Sequence, residues 1–337
     1  MDFERWWRRA GWLAMLAAAA FLAGCRDRAT PDWSLDETPA ATEAAAAPAN
    51  PGSSTTSQRA ARVRFISHNV ENWLSMPRTV DGVRDEEASK PEAEKRALVA
   101  MIARHRPDVL GVSEIGTMED LEDIRDRLRA AGVDLPHLHH HEGPDPVRRL
   151  GLLSRYPLEP AAEPAETGFR LDGRDFRMLR GILDATATAP CGREFRFLGV
   201  HFKSKREVSF YDQARFRERE AHLLRLHADA ILEADPDARL VVFGDLNDTR
   251  RSRAVVTVAG SAGSGRQLVP APARDSRGHM WTHHWSYQDL YSRIDYIFVS
   301  PALRGEARLR DARVIDDPEW REASDHRALL LDFEPRH

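Results

Sequence analysis

Cysteine is nearly absent from this chain: 337 residues carry two, Cys25 and Cys191. A Cys-cluster zinc site is therefore excluded, and at most one disulfide can form. No His-Glu-x-x-His occurs, so a metalloprotease-type zinc site has no support. Neither Gly-x-Ser-x-Gly nor a P-loop is present, which argues against a hydrolase elbow and a nucleotide cradle. Basic charge is not in excess. Lys and Arg total 49 against 53 Asp and Glu, a formal net charge of -4. No whole-protein field attracts nucleic acid, although a local basic groove remains open. No repeat of fixed period is visible, and no apolar run spans a membrane comfortably. What is present is a globular balance, 42% hydrophobic and 30% charged, enough for one large domain or two small ones.

The first residues are not fold. Arg5, Arg8 and Arg9 precede GWLAMLAAAAFLAG, the pattern of a secretory signal. It ends in Leu22-Ala23-Gly24-Cys25, which resembles the bacterial lipobox. That resemblance implies cleavage before Cys25 and lipid on its thiol and new amino group. The alternatives are an uncleaved anchor helix and twin-Arg export, whose flanking residues match poorly. Asp27 stands one place beyond the position of an inner-membrane retention signal, which leans toward the outer membrane or periplasmic face. With Cys25 lipidated, Cys191 has no intrachain partner; it sits in a Pro190-Cys191-Gly192 turn and reads as structurally incidental. Residues 26–61 are rich in Ala, Pro, Ser and Thr and bury too little apolar surface to fold, so they read as a disordered tether. Residues 1–25 thus read as a lipoprotein signal peptide, 26–61 as a tether and 62–337 as the folded domain.

Strand patterns run over 62–70, 108–115, 149–158, 176–188, 193–202, 239–247, 292–300 and 326–333. Helical spacing covers 91–105, 118–132 and 211–234. The segments 81–96 and 255–275 read as a charged loop entering a helix and as Gly-rich loops with one short strand. Polar residues recur where these strands end: Asn69, Glu114, His201, Asp245 with Asn247, Asp295, and the pair Asp325-His326. Strand ends in a layered sheet fold converge on one rim. Carboxylates and amides are hard oxygen ligands for Mg²⁺, Mn²⁺ or Ca²⁺, and separated histidines suit acid–base work. In VVFGDLND (241–248), Gly244 permits a tight bend. Period-two geometry places Asp245 and Asn247 on one side and turns Asp248 elsewhere.

Taken in order, SHNVENW, DVLGVSEIG, LLSRYPL, GVHFKSK, VVFGDLND, SRIDYIFVS and SDHRALLLDF resemble the endonuclease/exonuclease/phosphatase superfamily over residues 64–333. Each motif alone is weak; seven in the family's order are specific. The resemblance implies an α/β fold, a four-layer α/β/β/α sandwich of two mixed sheets flanked by helices, with a divalent metal where the sheets' loops meet. It implies Mg²⁺, or Mn²⁺ or Ca²⁺, on Glu114 with Asn69 and Asp325 beside it. Asp245 and Asn247 would face the scissile phosphate and attacking water, Asp295 would orient His326, and His201 would touch a phosphate oxygen. Either Asp245 or His326 can act as the base.

Histidine at 201 matches deoxyribonuclease- and sphingomyelinase-type members, where the abasic-site repair branch usually carries Asn. Asp145 is the nearest candidate for its acidic partner. Arg180 and Lys203 are candidate substrate contacts, as are Lys205 and the basic run 249–253. Of His137, His139, His140 and His141, at most half can converge, because neighbours on a strand face opposite ways. Trp281, Trp285, Tyr287 and Tyr291 are expected to pack behind the RIDY strand, with a membrane surface as the other option. These features favour an exported, membrane-tethered monomeric nuclease, ahead of a phospholipid phosphodiesterase and of a catalytically silent binding protein.

Overall fold

The computed structural model describes residues 62–161, 167–190 and 192–334. The expected signal segment, Cys25, the tether and Cys191 lie outside the described residues. Among those described, no helix is long and apolar enough to cross a membrane.

Alternating apolar residues build two six-stranded sheets. From edge to edge the first runs Arg313–Val314, Leu329–Phe333, Val63–Trp73, Val109–Ile115, Arg149–Ser154, His137–His141. The second runs Val269–Pro270, Asp295–Val299, Leu240–Asp245, Glu194–His201, Leu183–Thr188, Leu158–Pro160. One neighbouring pair in each sheet is parallel: Val63–Trp73 with Val109–Ile115, and Glu194–His201 with Leu240–Asp245. A parallel pair needs a crossover, and the helices Glu92–His105 and Gln213–Ala234 supply it. Asp212 caps the second of these, accepting from Ala214 N and Arg215 N. The helix Met118–Ala130 starts where Asp120 accepts from Thr117 N at 2.9 Å and stops before Gly132, whose φ is +84°.

Successive strand residues point to opposite layers. Phe65, Phe197, Val241 and Phe243 fill the space between the sheets. Ile66, Leu110 and Val112 meet the helices Glu92–His105 and Met118–Ala130. Leu198, Val200 and Val242 meet Gln213–Ala234 and the short helix Arg253–Ala259. Three apolar seams therefore separate four layers, helix, sheet, sheet, helix, and both sheets are mixed. The middle seam turns on Phe243, whose ring lies 5.0 Å from that of Phe65. A Cβ on Gly111 would lie 2.2 Å from this ring, and one on Gly199 2.8 Å from it. One aromatic knob thus needs a missing side chain in each sheet.

Some elements differ from their sequence reading. The stretch 255–275 holds the end of a helix, Arg253–Ala259, before its short strand. Ser252 caps it through Val255 N, and β-branched VVTV hid it. Residues 76–88 form a hairpin, Met76–Val80 with Val83–Ala88, where the charged loop was expected to begin. The 176–188 strand is interrupted: Arg174–Arg177 pairs with Gly168–Leu171, and 178–182 form a loop before Leu183–Thr188.

Gly244 has φ +131°, and a Cβ there would lie 1.9 Å from Val200 O in the neighbouring strand. Gly244→Ala should therefore lose at least about 3 kcal/mol of stability. A chemical-denaturation midpoint equal to that of the unaltered chain would show that the parallel pair tolerates a side chain there.

Candidate active site

The topology itself gathers the polar strand ends. Parallel strands finish on the same rim, so Asn69, Glu114, His201 and Asp245 emerge together. Asp295 starts an antiparallel strand and pairs directly with Asp245; His201 pairs with Asp245 on the other side. His326 precedes the antiparallel strand Leu329–Phe333 and reaches the same rim, held by a bridge to His283.

Asp245 is the focus. Its Oδ1 accepts from Asn247 N at 2.7 Å. Its Oδ2 accepts from Asn69 Nδ2 and Asn247 Nδ2, each at 3.3 Å. His201 Nε2 lies 3.7 Å and His326 Nε2 3.8 Å from the same oxygen. His326 Nδ1 is 2.8 Å from Asp295 Oδ2. The Asp295 backbone N donates to Thr282 Oγ1 at 3.1 Å, which fixes the start of that strand. Asn247 reaches Asp245 because it sits in the left-handed region at φ +50°, folding back onto the carboxylate, and not by strand period. Asp248 turns away to Arg217, 3.1 Å from its Nε.

Glu114 reaches the cluster from a bulge. Its φ is +66°, and the register slips there against the neighbouring strand. Its carboxylate accepts from Asn69 Nδ2 at 3.3 Å and Asn72 N at 3.1 Å, with Arg148 Nε 3.6 Å away. Asn69 turns its amide nitrogen to the carboxylates, while its oxygen accepts from Glu71 N at 3.1 Å. In this arrangement its amide nitrogen faces the carboxylates. Asp325 is half-buried beyond His326, 3.6 Å from His283 Nε2, and its backbone N donates to Glu71 Oε2 at 2.9 Å.

The charges are unevenly satisfied. Burial, and then the Asp295 carboxylate, push Asp245 up to about 7. Burial opposes the imidazolium of His326, yet Asp295, Asp245 and Asp325 raise it well above the ordinary histidine value. Burial and the cations Arg180, Arg148 and Lys203, with His326, hold His201 far below that value. Burial and Asp325 also lift Glu71 to about 7. Carboxylates crowded enough to shift in this way suit a hard divalent cation. Asp245, Asp295 and His326 lie close enough to share an ion, as do His283, Asp325 and His326.

Other expected residues fall differently. Asp145 does not reach His201; it lies 3.0 Å from Arg180 Nη2 and accepts from Val147 N and Arg148 N. The acids near His201 are Asp245 and, at 3.8 Å, Glu114. Arg180 is buried, and its Nε and Nη1 have no partner among the described residues. Lys203 bonds Ser204 Oγ at 3.2 Å. The four histidines of 137–141 split across an edge strand, with His140 bonded to Gly116 O at 2.9 Å. Trp285 and Tyr287 do not pack behind the RIDY strand. They stand exposed on a hairpin, His283–Trp285 with Leu290–Ser292, while Trp281 meets Tyr291 edge to face and lies beneath the Arg327 guanidinium. Sequence reasoning missed Glu71, His283, Arg148 and Glu220. Glu71 follows Asn69 at the spacing with which Asn247 follows Asp245, a usable signal; the others carry none.

A family model described as the Endonuclease/Exonuclease/phosphatase family matches residues 69–326, from the first of these strand ends to the last. The chain belongs to that family and is a metal-dependent phosphoester hydrolase. No curated protein sequence matches it. Solved structures share the fold. A family member from Bacteroides vulgatus is 19% identical, with TM-score 0.56 over 82% of this chain and 99% of that one. Sphingomyelinase C from Streptomyces griseocarneus is 15% identical, with TM-score 0.55 over 81% and 98%. The human Nocturnin catalytic domain is 18% identical, with TM-score 0.53 over 81% and 94%.

Glu220 is fully buried and accepts from Lys203 N at 2.7 Å. Burial pushes its carboxyl from 4.5 up to about 7. The proton it keeps stabilises the fold below its unfolded value, and that stability is lost as pH rises through about 7. Glu220→Gln keeps the acceptor and removes the charge. It should raise the melting temperature at pH 8 by about 2–4 °C and flatten its fall between pH 5 and 8. An unchanged slope would place the titration elsewhere.

Proposed function

We propose that the chain is a Mg²⁺-dependent phosphodiesterase acting on nucleic acid, exported and lipid-anchored through Cys25 at the outer membrane or periplasmic face. The carrying observation is the single oxygen, Asp245 Oδ2, on which Asn69, Asn247, His201 and His326 converge. Glu114 and Asp325 would hold the ion, with Asp245 within reach. A divalent cation bound there would supply positive charge to offset the anionic phosphate. Asp245 Oδ2 takes the proton of the attacking water as its oxygen bonds to phosphorus and the bond to the leaving oxygen breaks. Asn69 and Asn247 hold that carboxylate still. His326, oriented by Asp295, presents Nε2–H to a phosphate oxygen, where developing charge is greatest. His201, neutral, adds a second donor that brings no charge to repel the metal.

A phospholipid head group is the second reading. Its support is the exposed pair Trp285 and Tyr287 on the hairpin whose first residue, His283, faces Asp325.

The test uses the full chain with Mg²⁺, Mn²⁺ or Ca²⁺ and four substrates: plasmid DNA, RNA, sphingomyelin vesicles and bis(p-nitrophenyl) phosphate. Asp245→Asn, His326→Ala and Glu114→Ala should each lower turnover by about two to four orders of magnitude. Asp248→Ala should retain most of it. Failure to hydrolyse any of the four, or hydrolysis indifferent to all three changes, overturns the reading. Preferred cleavage of sphingomyelin selects the second. Separately, Cys25→Ser should move the chain from the membrane to the soluble fraction; retention there rules out the lipid anchor.

A further inference from the structure

His68 is buried, 3% exposed, one residue before Asn69 on the strand Val63–Trp73. Its Nε2 lies 3.2 Å from His326 O. A carbonyl oxygen only accepts, so Nε2 carries the proton and donates. Its Nδ1 is buried with no partner among the described residues. Burial holds the ring down to about 4, so it stays neutral. An imidazole buried for a single hydrogen bond is a poor packing choice, because its bare nitrogen loses water and gains nothing in exchange. Ile66 and Val70, two residues to either side, are apolar and belong to the seam under the helices. The bond to His326 O is the one return the structure shows for a histidine at this place.

His326 lies where the sheet no longer holds it. The pairing of Val63–Trp73 with Leu329–Phe333 stops at Ser67 opposite Leu329, beyond which His326 stands. Its bridge to His283 is closed by His284 N on Asp325 O at 3.0 Å and by Arg327 N on Thr282 O at 2.6 Å. Those bonds bypass the N and O of His326 itself, and side chains take both. His326 N donates to Ser324 Oγ at 3.0 Å, and that hydroxyl donates to Asn69 O at 2.8 Å. His326 O accepts from His68. The end of one strand thus reaches both reacting groups. Asn69 holds the Asp245 carboxylate at 3.3 Å, and His68 holds the main chain of His326, whose Nε2 lies 3.8 Å from the same carboxylate oxygen. We propose that His68 is a positioning residue for His326: its Nε2–H fixes the carbonyl next to which the catalytic ring hangs, and so fixes where the Nε2 of that ring points. The role rests on the reading of His326 given above; His68, being buried, touches no substrate itself.

The test uses the full chain with Mg²⁺ and bis(p-nitrophenyl) phosphate. His68→Phe keeps a ring and removes the donor. Its kcat should fall about tenfold to a hundredfold, with KM within about twofold of the unaltered chain. His68→Gln returns an N–H near the same place and should recover most of kcat, which a packing role would not do. In a His326→Ala background, His68→Phe should cost no more than about twofold further, because its effect passes through the ring already removed. If circular dichroism shows His68→Phe unfolded, His68→Leu replaces it. An unchanged kcat, an equal loss in the Phe and Gln variants, a loss carried by KM, or a full further loss in the His326→Ala background each overturn the proposal. If the unaltered chain hydrolyses nothing, the phosphodiesterase reading fails, and imidazole proton–nitrogen correlation spectra still decide the positioning role. His68 should show a protonated Nε2 and a bare Nδ1. The ring signals of His326 should move in His68→Phe and stay in place in His68→Gln. A protonated Nδ1 on His68, or His326 signals indifferent to His68→Phe, overturns the proposal.

Discussion

Carboxylates that repel one another must be held where they repel, and the rest of the molecule serves that constraint. Asp245 and Asp295 face each other across one strand pair, and the field of Glu114 also reaches Asp245. Given slack, each would turn to water, because an unpaired buried charge is costly. The slack is removed by Phe243, two residues before Asp245. Its ring fills the space left by Gly111, three before Glu114, and Gly199, two before His201. One aromatic wedge thus lies beneath three catalytic strand ends. Above it, the amides of Asn69 and Asn247 and the imidazole of His326 offset part of the negative charge.

The same arrangement explains why the fold repeats a device. Each sheet places a parallel pair near its centre, joined by a helix, with antiparallel strands beside it. Parallel pairing brings two strand ends to one rim. Antiparallel neighbours bring strand beginnings to the same rim, hence Asp295 and His326. Packing the sheets face to face through the Phe65, Phe197 and Phe243 rings then sets the two rims side by side.

Strand and helix identities were largely legible, because burial on both sheet faces demands apolar runs that end abruptly in polar residues. The residues at those ends were legible for the same reason. What escaped was anything set by backbone conformation. Glu71, Asn72 and Glu114 all adopt positive φ, at 48°, 57° and 66°, and no composition signal marks a non-glycine residue for that region. Without it, Glu71 could not be placed beside Asp325, nor Asn69 be seen to turn its nitrogen inward. The His201 partner failed for a related reason. Asp145 is close in the fold to Arg180, and only the loop 178–182, read as continuous strand, brings that arginine to it. The exposed hairpin escaped because aromatic residues signal burial on average, while Trp285 and Tyr287 flank a turn with no layer left to cover them.

Chemistry and selection are separated along the chain. The reacting groups sit on strand ends that the core immobilises. The segment 280–295 does otherwise: it leaves the edge strand Val269–Pro270 behind, throws out the aromatic hairpin, then passes Arg293 before returning to the catalytic strand at Asp295. A loop anchored at both ends can change its side chains without moving Asp245 or His326. Such a segment can set what else a substrate must carry while the scissile group meets the same oxygens each time. In a fold whose catalytic rim is this constrained, substrate preference has to be written in the loops bordering it.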